Sequence, residues 1–283
     1  MGCYGLWALS TTAIAGFWLP AGIFSTALTI ALFSSLQHEV LHGHPLNSRK
    51  LNEALVFPGL TVFIPYYRFR DLHLAHHNDA RLTDPYDDPE SNYLDPADWD
   101  ALPDWAKLVR RFNNTLAGRM LIGPLISQVS FMRDDFRLIR AGRRDVLNGW
   151  ILHIPALAVL AYWLFGYAAM PVWAYLISAY LGLSILKIRT FLEHRAHEHT
   201  GARTVVIEDR GILALLFLNN NFHVVHHMHP KVAWYELPAL FARNRERYLR
   251  RNDGYYYRSY RAVFARYFLK SKDPVPHPIW RRS

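Results

Sequence analysis

The chain alternates between two kinds of segment. Residues 1–37 carry no Asp, Glu, Lys or Arg, nor do residues 146–186, and all 32 basic side chains lie outside those two blocks. That segregation reads as a membrane protein. A transmembrane helix needs about 20 residues, so each block has room for two slightly short crossings joined by a turn. Leu19-Pro20-Ala21-Gly22 breaks the first block and Gly166 to Pro171 the second, since proline interrupts a helix and glycine supplies turn conformations. The expected architecture is an all-α integral membrane protein with four transmembrane helices, at about residues 4–19, 21–37, 148–165 and 170–188, arranged as two hairpins. Residues 38–145 and 189–283 are expected to form a helical cap, the whole of 1–283 making a single membrane domain.

Charge orients this scheme. Every Lys and Arg falls between Arg49 and Arg144 or between Lys187 and Arg282, and the turns between paired spans carry none. Both large polar segments are therefore expected on the cytoplasmic side of a multi-pass protein, at the inner membrane if the source is bacterial. The mean hydropathy of −0.03 averages over two solvents. No basic region precedes the first apolar run, which argues for spans and against a cleaved signal peptide. The pI of about 9.7 reflects a basic face, which beside membrane spans meets anionic lipid or an acidic protein partner and not nucleic acid. Cys3 is the lone cysteine, which excludes an internal disulfide and any CxxC-based zinc or iron-sulfur site.

Between the apolar blocks, Leu51 to Tyr67 is apolar but broken by Pro58 and Pro65, and it reads as a helix lying in the interface. Residues 116–132, interrupted by Arg119 and Gly123-Pro124, read the same way, and Arg133 to Arg144 reads as a basic collar before the third span. Thr83 to Glu90 (TDPYDDPE) is an acidic, Pro-punctuated stretch expected to be a solvated loop, with hydrogen bonds from its carboxylates to ligand imidazoles as the alternative. Arg243 to Arg251 and Tyr255 to Lys270 suit an amphipathic element at the membrane surface.

The 15 histidines add chemistry. Gln37-His38-Glu39-Val40-Leu41-His42 continues the second span without a breaker until Gly43, so His38 and His42, at i and i+4, point the same way just beyond the apolar zone. His73-Leu74-Ala75-His76-His77 and His223-Val224-Val225-His226-His227 are two copies of HxxHH, and offsets of i, i+3 and i+4 bring three imidazoles toward one small volume. Protonated imidazoles repel one another, whereas neutral ones ligate iron, zinc, copper or nickel. Clustering on this scale argues for bound metal. The fourth span runs on into Arg189 to His199, which sets His194 just past the membrane boundary, with His197 and His199 as further candidates. His153, alone in the third span, reads as a satisfied bundle histidine, and the roles of His44, His197, His199 and His229 stay open. Asn219 to Asn221 are read either as hydrogen-bond partners of a ligand or as a helix start. Taken alone, HEVLH from His38 to His42 also fits the HExxH of zinc peptidases with Glu39 as base, but that reading leaves both HxxHH boxes without a role. With no cytochrome-like HPGG, CxxC pair, P-loop or GxGxxG present, electrons for a redox reaction must come from another protein.

The three boxes, in this order and with paired spans between the first two and the last, resemble those of the membrane fatty acid desaturase-like di-iron family, which includes acyl desaturases, alkane and acyl hydroxylases and carotenoid ketolases. The resemblance runs from about residue 20 to 235. It implies that His38, His42, His73, His76, His77, His223, His226 and His227 bind two iron ions, with His194 matching an additional ligand after the last span and no catalytic residue beyond the ligands. It also implies O2 as co-substrate, a lipid or alkyl chain as substrate, and an external electron donor of ferredoxin, rubredoxin or cytochrome b5 type. Nine nitrogen donors give each metal four or five ligands with room for oxygen, whereas structural zinc closes at four. The spacing of the first box, and Leu192-Glu193-His194, look like alkane hydroxylases, whereas Asn219 to His227 (NNNFHVVHH) looks more like bacterial acyl desaturases. The expected reaction is desaturation of a fatty acyl or similar lipid chain, with hydroxylation as the alternative.

Overall fold

Proline and glycine fix where the long helices start and stop. In the computed structural model, which describes residues 1–77 and 81–280, Trp18 is extended and Pro20 lies in the first turn of helix α1 (Leu19–Leu41), where its missing N–H costs nothing. Gly43, at φ +102°, ends that helix in the left-handed conformation glycine tolerates. The chain continues through α2 (Tyr66–His76), α3 (Asp104–Asn113), α4 (Gly123–Arg140), α5 (Arg144–Gly166) and α6 (Val172–Thr190) to the short α7 (His223–Met228). To this mostly helical chain a parallel pair of two-residue strands is added, β1 (Val206–Ile207) and β2 (Tyr256–Tyr257), with Val206 opposite Tyr256. The chain divides into two compact units, residues 1–71 with 124–186 and residues 72–123 with 187–283.

Among the described residues three helices, α1, α5 and α6, are long and apolar enough to cross a membrane. The stretch expected to make the first crossing is helical over Gly2–Leu9 and Ala15–Phe17, with a π-helical segment, Ser10–Ile14, between them. A π turn releases carbonyls from the regular ladder, and here Thr11 O accepts from Ala169 N (3.0 Å) and Met170 N (3.1 Å) in the turn before α6. Trp7 Nε1 donates to Tyr175 Oη (3.1 Å), which in turn donates to Leu60 O (2.9 Å). Gly22 lets α1 approach this stretch so closely that a Cβ there would lie 2.6 Å from Ala15 Cα. Large apolar side chains also face outward: Ile154, Tyr162 and Phe165 of α5 and Trp173 and Ile177 of α6 are exposed, a surface suited to hydrocarbon and not to water.

Two polar-segment expectations change in the same unit. The interfacial helix expected over Leu51 to Tyr67 is realised only as Arg49–Leu55, because Pro58 and Pro65 hold the residues before them out of the helical region. Conversely, α4 runs unbroken through stretches the sequence divides at the start of the basic collar, since Pro124 sits in its first turn. Asp135 of α4 is buried and accepts from Arg68 Nε (2.9 Å), Arg68 Nη2 (2.8 Å) and Trp150 Nε1 (2.8 Å). Gly149 makes room for this pair, as a Cβ there would stand 3.0 Å from Arg68 Cδ. His153 Nε2 bonds Val62 O at 2.8 Å, as befits a satisfied bundle histidine.

The second unit packs Val206, Phe222, Val224, Val225, Leu237, Phe241 and Tyr248 into one apolar cluster around α7. Its helix α3 is built inside out. Trp105, Leu108, Val109 and Phe112, at helical spacing on one face, are all exposed, whereas Asn113 is buried and Lys107 and Arg110 are partly buried.

Candidate metal centre

In the first unit, α1 carries His38 in its last turn and His42 at its C-cap, the two rings edge to face with centroids 4.9 Å apart. The i, i+4 spacing therefore does what the sequence predicts. Glu39 Oε1 lies 3.7 Å from His38 Nδ1.

The second unit holds the other seven candidate ligands, and here the boxes behave differently from the expectation that each converges on one volume. His76, His194, His223 and His227 form one group whose ligand atoms all lie within 4.8 Å of one another. His73, His77 and His226 form another, with His77 Nε2 at 3.0 Å from His73 Nε2 and 3.1 Å from His226 Nε2. Each HxxHH thus contributes its i, i+4 pair to one group and its i+3 member to the other. The reason is angular: at about 100° per residue, positions i and i+4 stand some 40° apart while i+3 lies about 60° to the other side. The two boxes do this reciprocally, so the groups are related like two hands exchanging a finger.

His194 is not on a helix. α6 stops at Thr190, and His194 lies in an isolated antiparallel bridge with Thr204, its backbone carbonyl accepting from Lys272 Nζ (2.9 Å). Its Nε2 meets His76 Nε2 at 2.8 Å and His223 Nε2 at 3.0 Å.

Hydrogen bonds behind the rings fix which nitrogen faces inward. His76 Nδ1 donates to Asp88 Oδ1 (2.7 Å), His73 Nδ1 to Glu90 Oε1 (2.9 Å) and His223 Nδ1 to Asn220 Oδ1 (3.2 Å). Asn220 Nδ2 donates to Glu193 Oε1 (3.2 Å), which orients the amide so that its oxygen faces His223. The stretch expected to be a solvated acidic loop is thus the support of the second box: Asp88 is buried and also accepts from Thr83 N (2.8 Å) and Glu90 N (2.9 Å). The asparagines are likewise explained. Asn220 orients a ring, Asn221 Nδ2 donates to Ile207 O (2.6 Å), Asn219 Nδ2 donates to Trp234 O (3.2 Å), and the N-cap of α7 is Phe222 instead.

In their neutral forms, the form a metal binds, protons pinned at Nδ1 leave lone pairs at the Nε2 atoms of His76 and His223. A single proton on His194 Nε2 can satisfy one of its two short contacts and leaves lone pair against lone pair in the other. A cation among the three removes that repulsion, so the donor set fits a metal. Burial, and then the neighbouring imidazoles His76 and His227, hold His194 well below the ordinary histidine range, and burial and the same kind of neighbours hold His223 there too. His76 goes the other way. Burial lowers it, but Glu90 and Asp88 outweigh burial and push it up to about 9.

The remaining histidines lie elsewhere. His197 Nε2 is 3.4 Å from exposed Asp253, His199 is exposed, and the His229 ring lies 6.2 Å from the Tyr248 ring. His277, which carries no spacing signal, is buried with Nε2 at 3.2 Å from Thr83 Oγ1, the residue whose backbone amide binds Asp88. Lys272, too, supports the centre from a basic C-terminal segment that gives no local cue.

Two comparisons complete the description. The family model described as fatty acid desaturase matches residues 13–260. Neither the curated proteins nor the solved structures contain a match.

Proposed function

The chain belongs to the fatty acid desaturase family, and from that premise we propose that it is a multi-pass membrane enzyme that desaturates a fatty acyl or similar lipid chain with O2 and two iron ions. The observation that carries the reading is the reciprocal division of the two HxxHH boxes into two groups of inward-facing imidazoles. Nine ligands are proposed, as the family's histidine boxes imply: His76, His194, His223 and His227 in one group, His73, His77 and His226 in the other, and His38 and His42 of the first box. The match over 13–260 takes in all three boxes, so a zinc peptidase confined to His38, Glu39 and His42 is not carried forward.

Bound iron supplies reductive activation of O2, which accepts two hydrogens from adjacent substrate carbons together with two electrons and two protons from the donor, leaving an alkene and two waters. The protein's own groups prepare for this. Asp88, Glu90 and Asn220 keep protons on the outer ring nitrogens and so leave Nε2 of His76, His73 and His223 available as ligands. Burial of His73, His76, His223 and His226 excludes water that would compete for the metal or quench reactive species. The electron donor is external, of ferredoxin, rubredoxin or cytochrome b5 type, and the metal face and the donor share the cytoplasmic side. The proposed topology keeps four crossings, the N-terminal helical stretch making the first.

Hydroxylation is the second reading, favoured by Glu39 within the first box and by Leu192-Glu193-His194. Product analysis of the reconstituted protein with acyl and alkyl substrates, a donor and O2 separates the two, because desaturation removes two hydrogens and hydroxylation adds one oxygen. Replacing His226→Ala is expected to abolish iron binding at one centre and turnover while membrane insertion persists. Full iron content and activity in that variant would refute the ligand assignment.

A further inference from the structure

Helix α4 is attached by its inner side and open on its outer side. Gln128 Nε2 donates to Phe63 O (2.8 Å) and Asp135 binds Arg68 and Trp150, so Gln128 and Asp135, seven residues apart, define the face turned to the protein. At about 100° per residue the exposed side chains then fall into three successive bands round the helix. Leu125, Val129, Met132 and Phe136 form a continuous apolar row. Next come Arg140, Arg133 and Arg137, and beyond them Asp134 and Ser127, all exposed. Apolar, then cationic, then acidic and hydroxylic is the order met on leaving a bilayer through its headgroups into water.

The chain path points to the same place. After Arg140 a tight turn, with Gly142 at φ +85° and Arg143 N bonded to Leu138 O (3.0 Å), leads directly into α5, one of the three helices long and apolar enough to cross a membrane. The Phe131 and Trp150 rings meet at 5.9 Å and Trp150 reaches Asp135, so the foot of α5 and the last turns of α4 are in contact. Asp134 Oδ1 lies 3.3 Å from Arg133 Nε and 3.4 Å from Arg137 Nη1, and Arg140 lies over the Phe136 ring. One carboxylate against three guanidinium groups leaves this face cationic.

We propose that α4 lies in the interface of an anionic bilayer, with Leu125, Val129, Met132 and Phe136 among the acyl chains and Arg133, Arg137 and Arg140 bound to lipid phosphates. The inference rests on α5 being a membrane span and is independent of the reaction the enzyme catalyses. It makes lipid charge a ligand of the protein. Through the Arg68–Asp135 pair the docked helix also grips the first turn of α2, the helix whose last turn carries His73 and His76.

The test uses the full chain in nanodiscs containing phosphatidylglycerol, in a Cys3→Ala background, with single spin labels introduced by Met132→Cys, Phe136→Cys, Ser127→Cys, Asp134→Cys and, on α5, Ile154→Cys. Accessibility to oxygen and to a water-soluble nickel chelate is measured at each site. Expected are oxygen-rich, nickel-poor labels at 132 and 136, as at 154, and a severalfold lower oxygen-to-nickel ratio at 127 and 134. Nickel access at 132 and 136 equal to that at 127, with 154 still protected, overturns the proposal while leaving the span reading intact, and nickel access at 154 overturns both. Shielding of 132 from both reagents assigns the row to a protein contact and overturns it as well. Replacing phosphatidylglycerol by phosphatidylcholine, or Arg133, Arg137 and Arg140 by Gln, is expected to lower the ratio at 132 severalfold, and an unchanged ratio overturns the role of lipid phosphate.

Discussion

Asp88 and Glu90 hydrogen-bond histidines of different groups, Asp88 to His76 and Glu90 to His73, although Glu90 Oε2 also stands 3.9 Å from His76 Nε2, and their isosteric amides test whether the two groups are two metal sites. Asp88→Asn keeps the shape but places an amide N–H2 where the carboxylate accepts from His76 Nδ1 (2.7 Å), Thr83 N (2.8 Å) and Glu90 N (2.9 Å). At least one of those donors must then face another donor. Loss of such an outer partner typically lowers metal affinity 10- to 100-fold, or about 1.4–2.8 kcal/mol. The upper end is expected here because Asp88 is buried and its bond to His76 is short. Glu90→Gln acts on His73 at 2.9 Å from a carboxylate that is 29% exposed, so water relieves part of the loss and the lower end is expected. The assay is competitive titration of the metal-free protein with Fe(II) or Co(II), with spectroscopy to tell the two sites apart. Asp88→Asn is expected to weaken the site containing His194, and Glu90→Gln the site containing His77. The two-site division fails if Asp88→Asn weakens the site containing His77 and spares the one containing His194, or if neither variant changes affinity.

Other outcomes follow from the same geometry. His76 in the metal-free protein is held up to about 9 from its ordinary 6.5, so below about pH 9 metal binding must displace its proton. Proton release measured with an indicator dye should therefore be larger at about pH 7 than at about pH 10, and the stabilisation that this charge gives the metal-free fold should be full below 6.5 and lost as pH rises through 9. Asp135→Ala strands the buried Arg68 guanidinium and should cost about 3–5 kcal/mol, whereas Arg68→Met combined with Asp135→Leu should recover most of it, as read by thermal unfolding in detergent. Gly22→Ala forces a Cβ to 2.6 Å from the Ala15 backbone and should destabilise by at least about 1–3 kcal/mol, seen as a lowered Tm with the histidine spectra unchanged.

What is legible in the sequence is whatever depends on one segment at a time. Charge-free blocks broken at Pro20 and Pro171 mark the long helices, and i, i+3, i+4 spacing marks the histidines, because hydrocarbon thickness and helix pitch act locally. The partition of each box is illegible for the opposite reason: spacing fixes the angles between rings but not the direction from which a partner arrives, and His194 comes from a non-helical bridge. Asp88 and Glu90 look like solvated acids until tertiary structure sets them behind His76 and His73. The N-terminal stretch reads as a plain crossing, yet its π turn exists because the turn at Ala169 takes up a released carbonyl from 158 residues away in sequence. Pro58 and Pro124 show that one residue type has opposite effects: the first stands where a helix is prevented, the second in a first turn where it is harmless.

Helix α3 reverses the usual map of mutational tolerance. On most proteins an outward-facing residue accepts polar substitution and an inward-facing one does not. Here Trp105, Leu108 and Phe112 are outside and apolar, while Lys107, whose Nζ donates to Asp100 O at 3.0 Å, is half-buried and Asn113 is buried. Handling inherits that reversal. An exposed apolar face of this kind promotes association, so Leu108→Lys together with Phe112→Glu is expected to lower the self-association of the full chain in dilute detergent, as read by sedimentation.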